Sequence, residues 1–296
     1  MSSRITILPP SPALAADVMG YVVRRRADEA PPPAAVPSAF PANMYSALTI
    51  IHRGCLRDPA SGRITTGATF SGAMTREARR EYLDRPETTV VLLKPGRLTD
   101  LCRVSAHELT DRWIAAGDIL SAAERLVIDE RMAEQRSVAR QIHVLEAMLE
   151  RRLHRAAHSR AVSMSRLVHQ LVWRLPHMTV SELAQHAGLG ERQLHRRFLD
   201  TFGVSPKVLI RLARLQLSLW HVQNAARRGS ATLASVAQRA GFADPAHMAR
   251  DFKALAGRSP ATLHRRMRLS MPSEWAYELP QDLVSPRTPP SGPTAL

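Results

Sequence analysis

The chain has 296 residues and carries 41 Lys and Arg against 26 Asp and Glu, a formal net charge of +15 at pH 7. That length gives room for two domains, each with its own core. The two cysteines, Cys55 and Cys102, fall in no CxxC or Cys/His ligand spacing, which excludes a disulfide framework and points to reduced thiols. The start, Met1 to Pro10, lacks the apolar core of a secretory signal, and no run approaches the roughly 18 apolar residues of a membrane span. A cytoplasmic protein without membrane contact is the expectation.

The charge is unevenly placed. Residues 176–268 hold 15 Lys and Arg and 5 Asp and Glu, a net of +10, whereas the rest of the chain holds 26 and 21, a net of +5. About two-thirds of the excess thus sits on about a third of the chain, which favours a polyanion-binding face over a generally basic surface. Only Lys94, Lys207 and Lys253 accompany the arginines. GC-rich coding explains arginine over lysine but not where the charge is concentrated.

In chain order, residues 1–40 are rich in Pro and Ala, and Pro31 to Pro33 would break a helix over Leu14 to Val23. Between 45 and 104, Tyr45–His52 and Thr88–Lys94 are β-branched runs punctuated by Gly54, Gly62, Gly67, Gly72 and Pro95-Gly96, a strand-and-turn pattern. Helix is expected over 106–157, with Ser105 or Thr110 as caps and a break at Gly117-Asp118. Val138, Ile142, Leu145, Leu149 and Leu153 form one apolar stripe among charges, which packs on its own domain or pairs with a second subunit. A polar junction follows at His154 to Arg160. The Pro-, Ser- and Thr-rich stretch at the end reads as a disordered tail. The expected fold class is α+β, with a β-rich N-terminal domain over 1–157, an all-α domain over 158–268 and a tail over 269–296.

The most specific feature is an internal repeat. Leu183-Ala-Gln-His-Ala-Gly188-Leu with Phe198 and Gly203-Val-Ser-Pro206 returns as Val236-Ala-Gln-Arg-Ala-Gly241-Phe with Phe252 and Gly257-Arg-Ser-Pro260. A short helix, a glycine turn and a cationic helix, given twice, predict two helix-turn-helix units. In the first, Thr179 and Glu182 form a capping box, Gly188 ends the helix in the left-handed region, and Leu194 and Phe198 hold the second helix down. Arg192, Gln193, His195, Arg196 and Arg197 then lie on its other faces, where Arg can bond guanine and Gln adenine. In the second unit Gly241-Phe242 makes the turn, Asp244 caps the helix and Pro245 fits its first turn. Met248 and Phe252 face the core, leaving His247, Ala249 and Arg250 outward. With Pro245, Ala246 and Ala249 at its start, this helix is expected to rely more on phosphate contacts and the first unit to discriminate more between bases.

Ser205-Pro206 opens a long helix between the copies, with Leu209, Leu212, Leu215, Leu219 and Val222 as its spine. Two reading helices on one face of B-DNA need centres about 34 Å apart, and a helix of about 20 residues spans about 30 Å. Arg197, Arg211, Arg214, Arg227, Arg228, Lys253 and Arg258 are candidates for phosphate contacts.

On these residues, from about Met164 to Arg266, the chain resembles the AraC/XylS family of bacterial transcription regulators. The resemblance implies recognition helices in successive major grooves of a promoter or operator, with Arg192, Gln193, His195 and Arg196, then Ala246, His247 and Arg250, reading bases. Gly188, Leu194, Phe198, Gly241, Phe242, Phe252 and Pro260 would be its turn and core positions. Met248 departs from the aromatic residue common there but is still apolar. Pro95-Gly96 after a β-run and Ser105 to Asp111 before a helix look like the N-terminal domain of a subset of the family. Such a domain senses a small molecule, dimerises, or both, and the resemblance brings RNA polymerase as a further partner. The expected location is the cytoplasm, in association with the nucleoid.

Two rival classes are weaker. His52, Cys55, Cys102, His107 and Glu108 are the side chains an enzyme or metal centre would draw on, but nothing in their spacing requires them to converge. No phosphate loop, Rossmann glycine pattern or HExxH occurs, so no catalytic residue, cofactor or metal is expected. A non-specific architectural DNA binder would need the sequence preference to be lost, which the sparse second reading helix favours slightly.

Overall fold

A computed structural model describes residues 4–25, 35–132, 134, 137–154, 160–228 and 232–268. The fold is α+β. Its N-terminal half is an antiparallel sheet of β1 (Arg4–Leu8), β2 (Val18–Arg25), β3 (Val36–Phe40), β4 (Ser46–Arg57), β5 (Ile64–Ser71), β6 (Ala78–Leu93) and β7 (Trp113–Ala115). The order is β1-β2-β6-β4-β5-β7, with β3 also on β6. The 16-residue β6 is the shared spine: Thr88 to Leu93 pair with both β2 and β4, and Ala78 to Tyr82 pair with β3.

Between these strands and after them run α1 (Leu98–Cys102), α2 (Ala106–Leu109), α3 (Ala122–Leu126) and α4 (Val138–His154). Alternation along the strands gives one sheet face to these helices. Tyr21, Leu48, Ile50, Phe70, Val91 and Leu93 pack with Leu98, Leu101, Ile142, Leu145 and Leu149 in one core. The stripe on α4 is therefore used within its own domain. A buried polar contact ties the layers together: Glu146 of α4 accepts from the Ser11 amide at 2.7 Å and the Tyr21 hydroxyl at 3.0 Å. Burial, and then that carboxylate, push the Tyr21 phenol pKa upward.

Two expectations are corrected here. Leu14 to Val23 is not helical, since Val18 onward forms β2, whose Tyr21 and Val23 are buried on one sheet face. Its β-branched and aromatic residues fit a pleated surface better than a helix. Ser105 and Thr110 flank α2 as its N- and C-terminal caps, the Thr110 amide donating to His107 O at 3.4 Å and its hydroxyl to the carbonyls of Ala106 and Gly203. The strand content also exceeds the sequence reading, with β6 starting at Ala78. The tail over 269–296 and most of the polar junction lie outside the described residues.

The C-terminal half consists of α5 (Arg160–Gln170), α6 (Val180–Ala187), α7 (Glu191–Phe202), α8 (Pro206–Arg228), α9 (Leu233–Arg239), α10 (Pro245–Ala256) and α11 (Pro260–Arg268). Its core is built around α8, where Leu209, Leu212, Leu215 and Val222 are fully buried. That core reaches into the N-terminal half through Ala39, Ala42, Met44 and Ala73. Polar bonds cross the same junction. Ala42 N donates to Leu255 O at 2.8 Å, Gln216 Nε2 to Ala42 O at 3.2 Å, and Ser165 Oγ to Pro95 O at 2.6 Å. Thr110 Oγ1 donates to Gly203 O at 2.9 Å. The Pro95-Gly96 and Ser105 to Asp111 motifs therefore meet the helical half directly.

Candidate nucleic-acid interface

The first unit is α6, a turn and α7. Thr179 Oγ1 accepts from Glu182 N at 3.2 Å while Glu182 Oε2 accepts from Thr179 N at 2.7 Å, the reciprocal capping box that starts α6. The Thr179 amide, and then its hydroxyl, which donates to the same Glu182 Oε2 at 2.9 Å, hold the Glu182 carboxyl below its usual range. Gly188 ends the helix at φ 61°. Leu189 N then donates back to Ala184 O at 3.0 Å, which turns the chain into α7.

The second unit repeats the N-cap bond and the turn bond, without the reciprocal half of the capping box. Thr232 caps α9 through Ser235 N at 3.2 Å, and Phe242 N donates back to Ala237 O at 3.0 Å. Asp244 Oδ1 accepts from His247 N at 2.6 Å to start α10, and that amide is the main cause of the lowered Asp244 pKa. The turn glycines differ in one respect. A side chain at Gly188 would meet nothing within 4 Å, but one at Gly241 would lie 2.6 Å from Pro176 O. The second turn is pressed against the Leu175–His177 turn; the first is open.

The second helix of each unit buries one face and exposes the other. On α7, Leu194 and Phe198 are fully buried, with the Phe198 and Phe202 rings 4.8 Å apart. Arg192, Gln193, His195 and Arg196 are exposed, and Arg197 is half-buried. On α10, Met248 and Phe252 are buried, while Ala246, Arg250 and Lys253 are exposed. His247 is half-buried, its ring edge-on to Phe242 at 5.4 Å. The exposed start of α10 therefore offers fewer polar side chains than that of α7. The strut α8 has 23 residues, so its axis spans about 34 Å, comparable to one turn of B-DNA.

Two of the expected phosphate ligands are engaged within the protein. Arg211 donates to Asp251 Oδ1 from Nε at 2.9 Å and Nη2 at 2.8 Å. Arg214 Nε donates to Pro176 O at 2.6 Å. Asp251 is 8% exposed, and a buried carboxylate needs donors. The signal was present in the sequence: Met248, Asp251, Phe252 and Leu255 follow the i, i+3, i+4, i+7 rhythm, which puts Asp251 on the apolar face of α10. Arg197, Lys253 and Arg258 flank the exposed faces; of Arg227 and Arg228 the side chains lie outside the described residues.

The side chains that a metal or thiol site would draw on are dispersed. His52 Nε2 lies 2.9 Å from Thr89 Oγ1, and His107 Nδ1 lies 2.8 Å from Ser105 Oγ. Cys102 is buried, which pushes its thiol up to about 12. Among the described residues no group of three or more His, Cys, Asp or Glu is placed to hold a metal, and no helix is long and apolar enough to cross a membrane.

Two tandem units with sealed inner faces and exposed cationic outer faces define a double helix-turn-helix domain. Residues 183–266 match the model of a helix-turn-helix domain family, and this part of the chain is a helix-turn-helix domain. That match marks residues 183–266 as a DNA-binding module. Among solved structures the chain is similar to a lysine-to-alanine variant of apo ToxT from Vibrio cholerae strain SCE256, at 14% identity and TM-score 0.42, covering 90% of this chain and 98% of that one. Unsaturated fatty acid bound ToxT from the same strain gives 12% identity and TM-score 0.37 over 78% and 94% of the two chains. The AraC-like transcriptional activator CuxR gives 14% identity and TM-score 0.22 over 71% and 85%. A search of curated proteins returned no match.

Proposed function

We propose that the protein is a sequence-specific regulator that reads two successive major-groove segments of a promoter or operator. Arg192, Gln193, His195 and Arg196 contact bases from α7, and Ala246, His247 and Arg250 from α10. Arg197, Lys253 and Arg258 contact phosphates, and the free donors of Arg211 and Arg214 add to them. The observation that carries this reading is the matched exposure of the two helices across one rigid strut. The sheet-bearing half controls placement of the pair, through a small-molecule effector or through pairing of two copies. Its grip on Leu255 and Gln216 supports that role, because Leu255 lies on α10 itself and Gln216 on the strut against which α10 packs. The outcome at the promoter is read by RNA polymerase, in the cytoplasm.

Selection of bound duplexes from a random pool tests specificity. The selected site should outcompete random duplex by roughly 10³-fold or more. Recovery of no motif would favour an architectural binder, a reading to which Ala246 and the half-buried His247 lend some support.

A further inference from the structure

Three parts of the C-terminal half meet at one carbonyl. Pro176 is buried in the Leu175–His177 turn, and its oxygen accepts from Arg214 Nε of the strut at 2.6 Å. The same oxygen lies against Gly241, the turn of the second unit, where a side chain would come within 2.6 Å of it and 3.0 Å of His177 Nδ1. The Leu175–His177 turn runs through Met178 into Thr179, the N-cap of α6, so it moves with the first unit. Leu175 and Met178 anchor it in the core that also holds Ala237 and Ala240, next to the second turn. Pro176 is thus joined to the first unit by the chain, to the strut by a hydrogen bond and to the second unit by close packing.

A strut fixes the distance between two units but leaves each free to swing about its own junction. On B-DNA one base pair is about 3.4 Å of rise and about 35° of rotation, so a modest swing puts a reading helix out of register. The first unit enters the strut through Gly203 to Ser205, at its start, whereas Arg214 lies further along it, and contact there resists the swing. We infer that Arg214 is a positioning residue: by seating the Pro176 turn between the strut and Gly241, it sets the spacing of the half-sites that the pair accepts. The inference rests on the paired reading proposed above. It assigns Arg214 a role that its charge does not supply, since the bond to a buried carbonyl needs only a donor at Nε.

Two substitutions separate the donor from the charge. Arg214→Gln keeps an N–H where Nε stands and loses the charge, while Arg214→Met loses both and keeps the bulk. The full chain is titrated with its selected duplex and with the same duplex carrying one extra base pair between the half-sites. For the unmodified protein the insertion should cost about tenfold or more, as much as a mismatched pair. Arg214→Met should shrink that penalty by about fivefold, the worth of one hydrogen bond, and Arg214→Gln should preserve it. A second readout omits DNA: spin labels at Asp200→Cys and Ala254→Cys, exposed on α7 and α10, in a Cys55→Ser background. Their distance distribution should broaden in Arg214→Met and stay narrow in Arg214→Gln. An undiminished insertion penalty or unchanged widths in Arg214→Met overturns the proposal. So does a pattern in which both substitutions weaken every duplex alike, the mark of a phosphate ligand. A selection that returns no paired half-sites fails the DNA reading and takes this inference with it, whereas paired half-sites with unchanged widths fail this inference alone.

Discussion

Arg211 of the strut holds Asp251 of α10 through two donors on one carboxylate oxygen, at 2.9 and 2.8 Å. The orientation of α10 is thus fixed by a charge-assisted pair as well as by packing. Arg211→Met would strand a carboxylate that is 8% exposed. The expected cost is about 1 kcal/mol, kept to the low end because the Arg211 side chain is 41% exposed. Urea unfolding measures it, and footprinting should show protection weakened mainly under the second unit. Unchanged stability and an even footprint would remove the joint from the account.

The two turn glycines should respond differently to one methyl group. Gly188→Ala meets open space and pays only for its left-handed backbone, about 1–2 kcal/mol. Gly241→Ala pays that and also drives Cβ to 2.6 Å from Pro176 O. Thermal unfolding should therefore place Gly241→Ala clearly below Gly188→Ala. Equal losses would mean that the second turn is not pressed against its neighbour.

His52 predicts a slope of stability with pH. Burial first, and then the charge of Arg25, lower its pKa to about 4. Between the ordinary value near 6.5 and about 4, the unfolded chain binds a proton that the folded chain does not. Stability therefore falls as pH drops through this window and is unaffected by this group above it. His169 and His221, also lowered chiefly by burial, act in the same direction. His52→Gln should flatten the urea-midpoint profile between pH 6.5 and 4.5 without reversing it; an unchanged profile would show that His52 titrates normally.

Much of the DNA-binding half was legible because its signals are local. Caps, turn glycines and a four-residue rhythm state their own geometry, and the second copy repeats the first. The sheet was less legible. β2 lies in a stretch read for its prolines, and β6 runs through Arg79, Arg80, Glu81 and Glu87, charged residues that are exposed or half-buried yet pair in the sheet. Long-range pairing, not local composition, makes those residues strand. The partners of Arg211 and Arg214 were hidden for the same reason, since a cation bound at long range looks in sequence like a cation facing solvent.

Base reading and phosphate anchoring separate by salt and by sequence. Arg192→Ala or Arg196→Ala should cost about 1–3 kcal/mol on the selected site and relax one base position. Lys253→Ala should weaken all duplexes alike and reduce the salt slope by about one. Titration by fluorescence anisotropy at several salt concentrations distinguishes them. Normal binding by Arg196→Ala would displace the reading face from where it is assigned.

The central claim is that one strut presents two helices to consecutive major grooves. Hydroxyl-radical footprinting of the full chain on its selected duplex tests it most directly. The account predicts two protected patches on one face of the DNA, centred about 10 base pairs apart, with Arg192→Ala weakening one and Arg250→Ala the other. A single patch, or two on opposite faces, would contradict it.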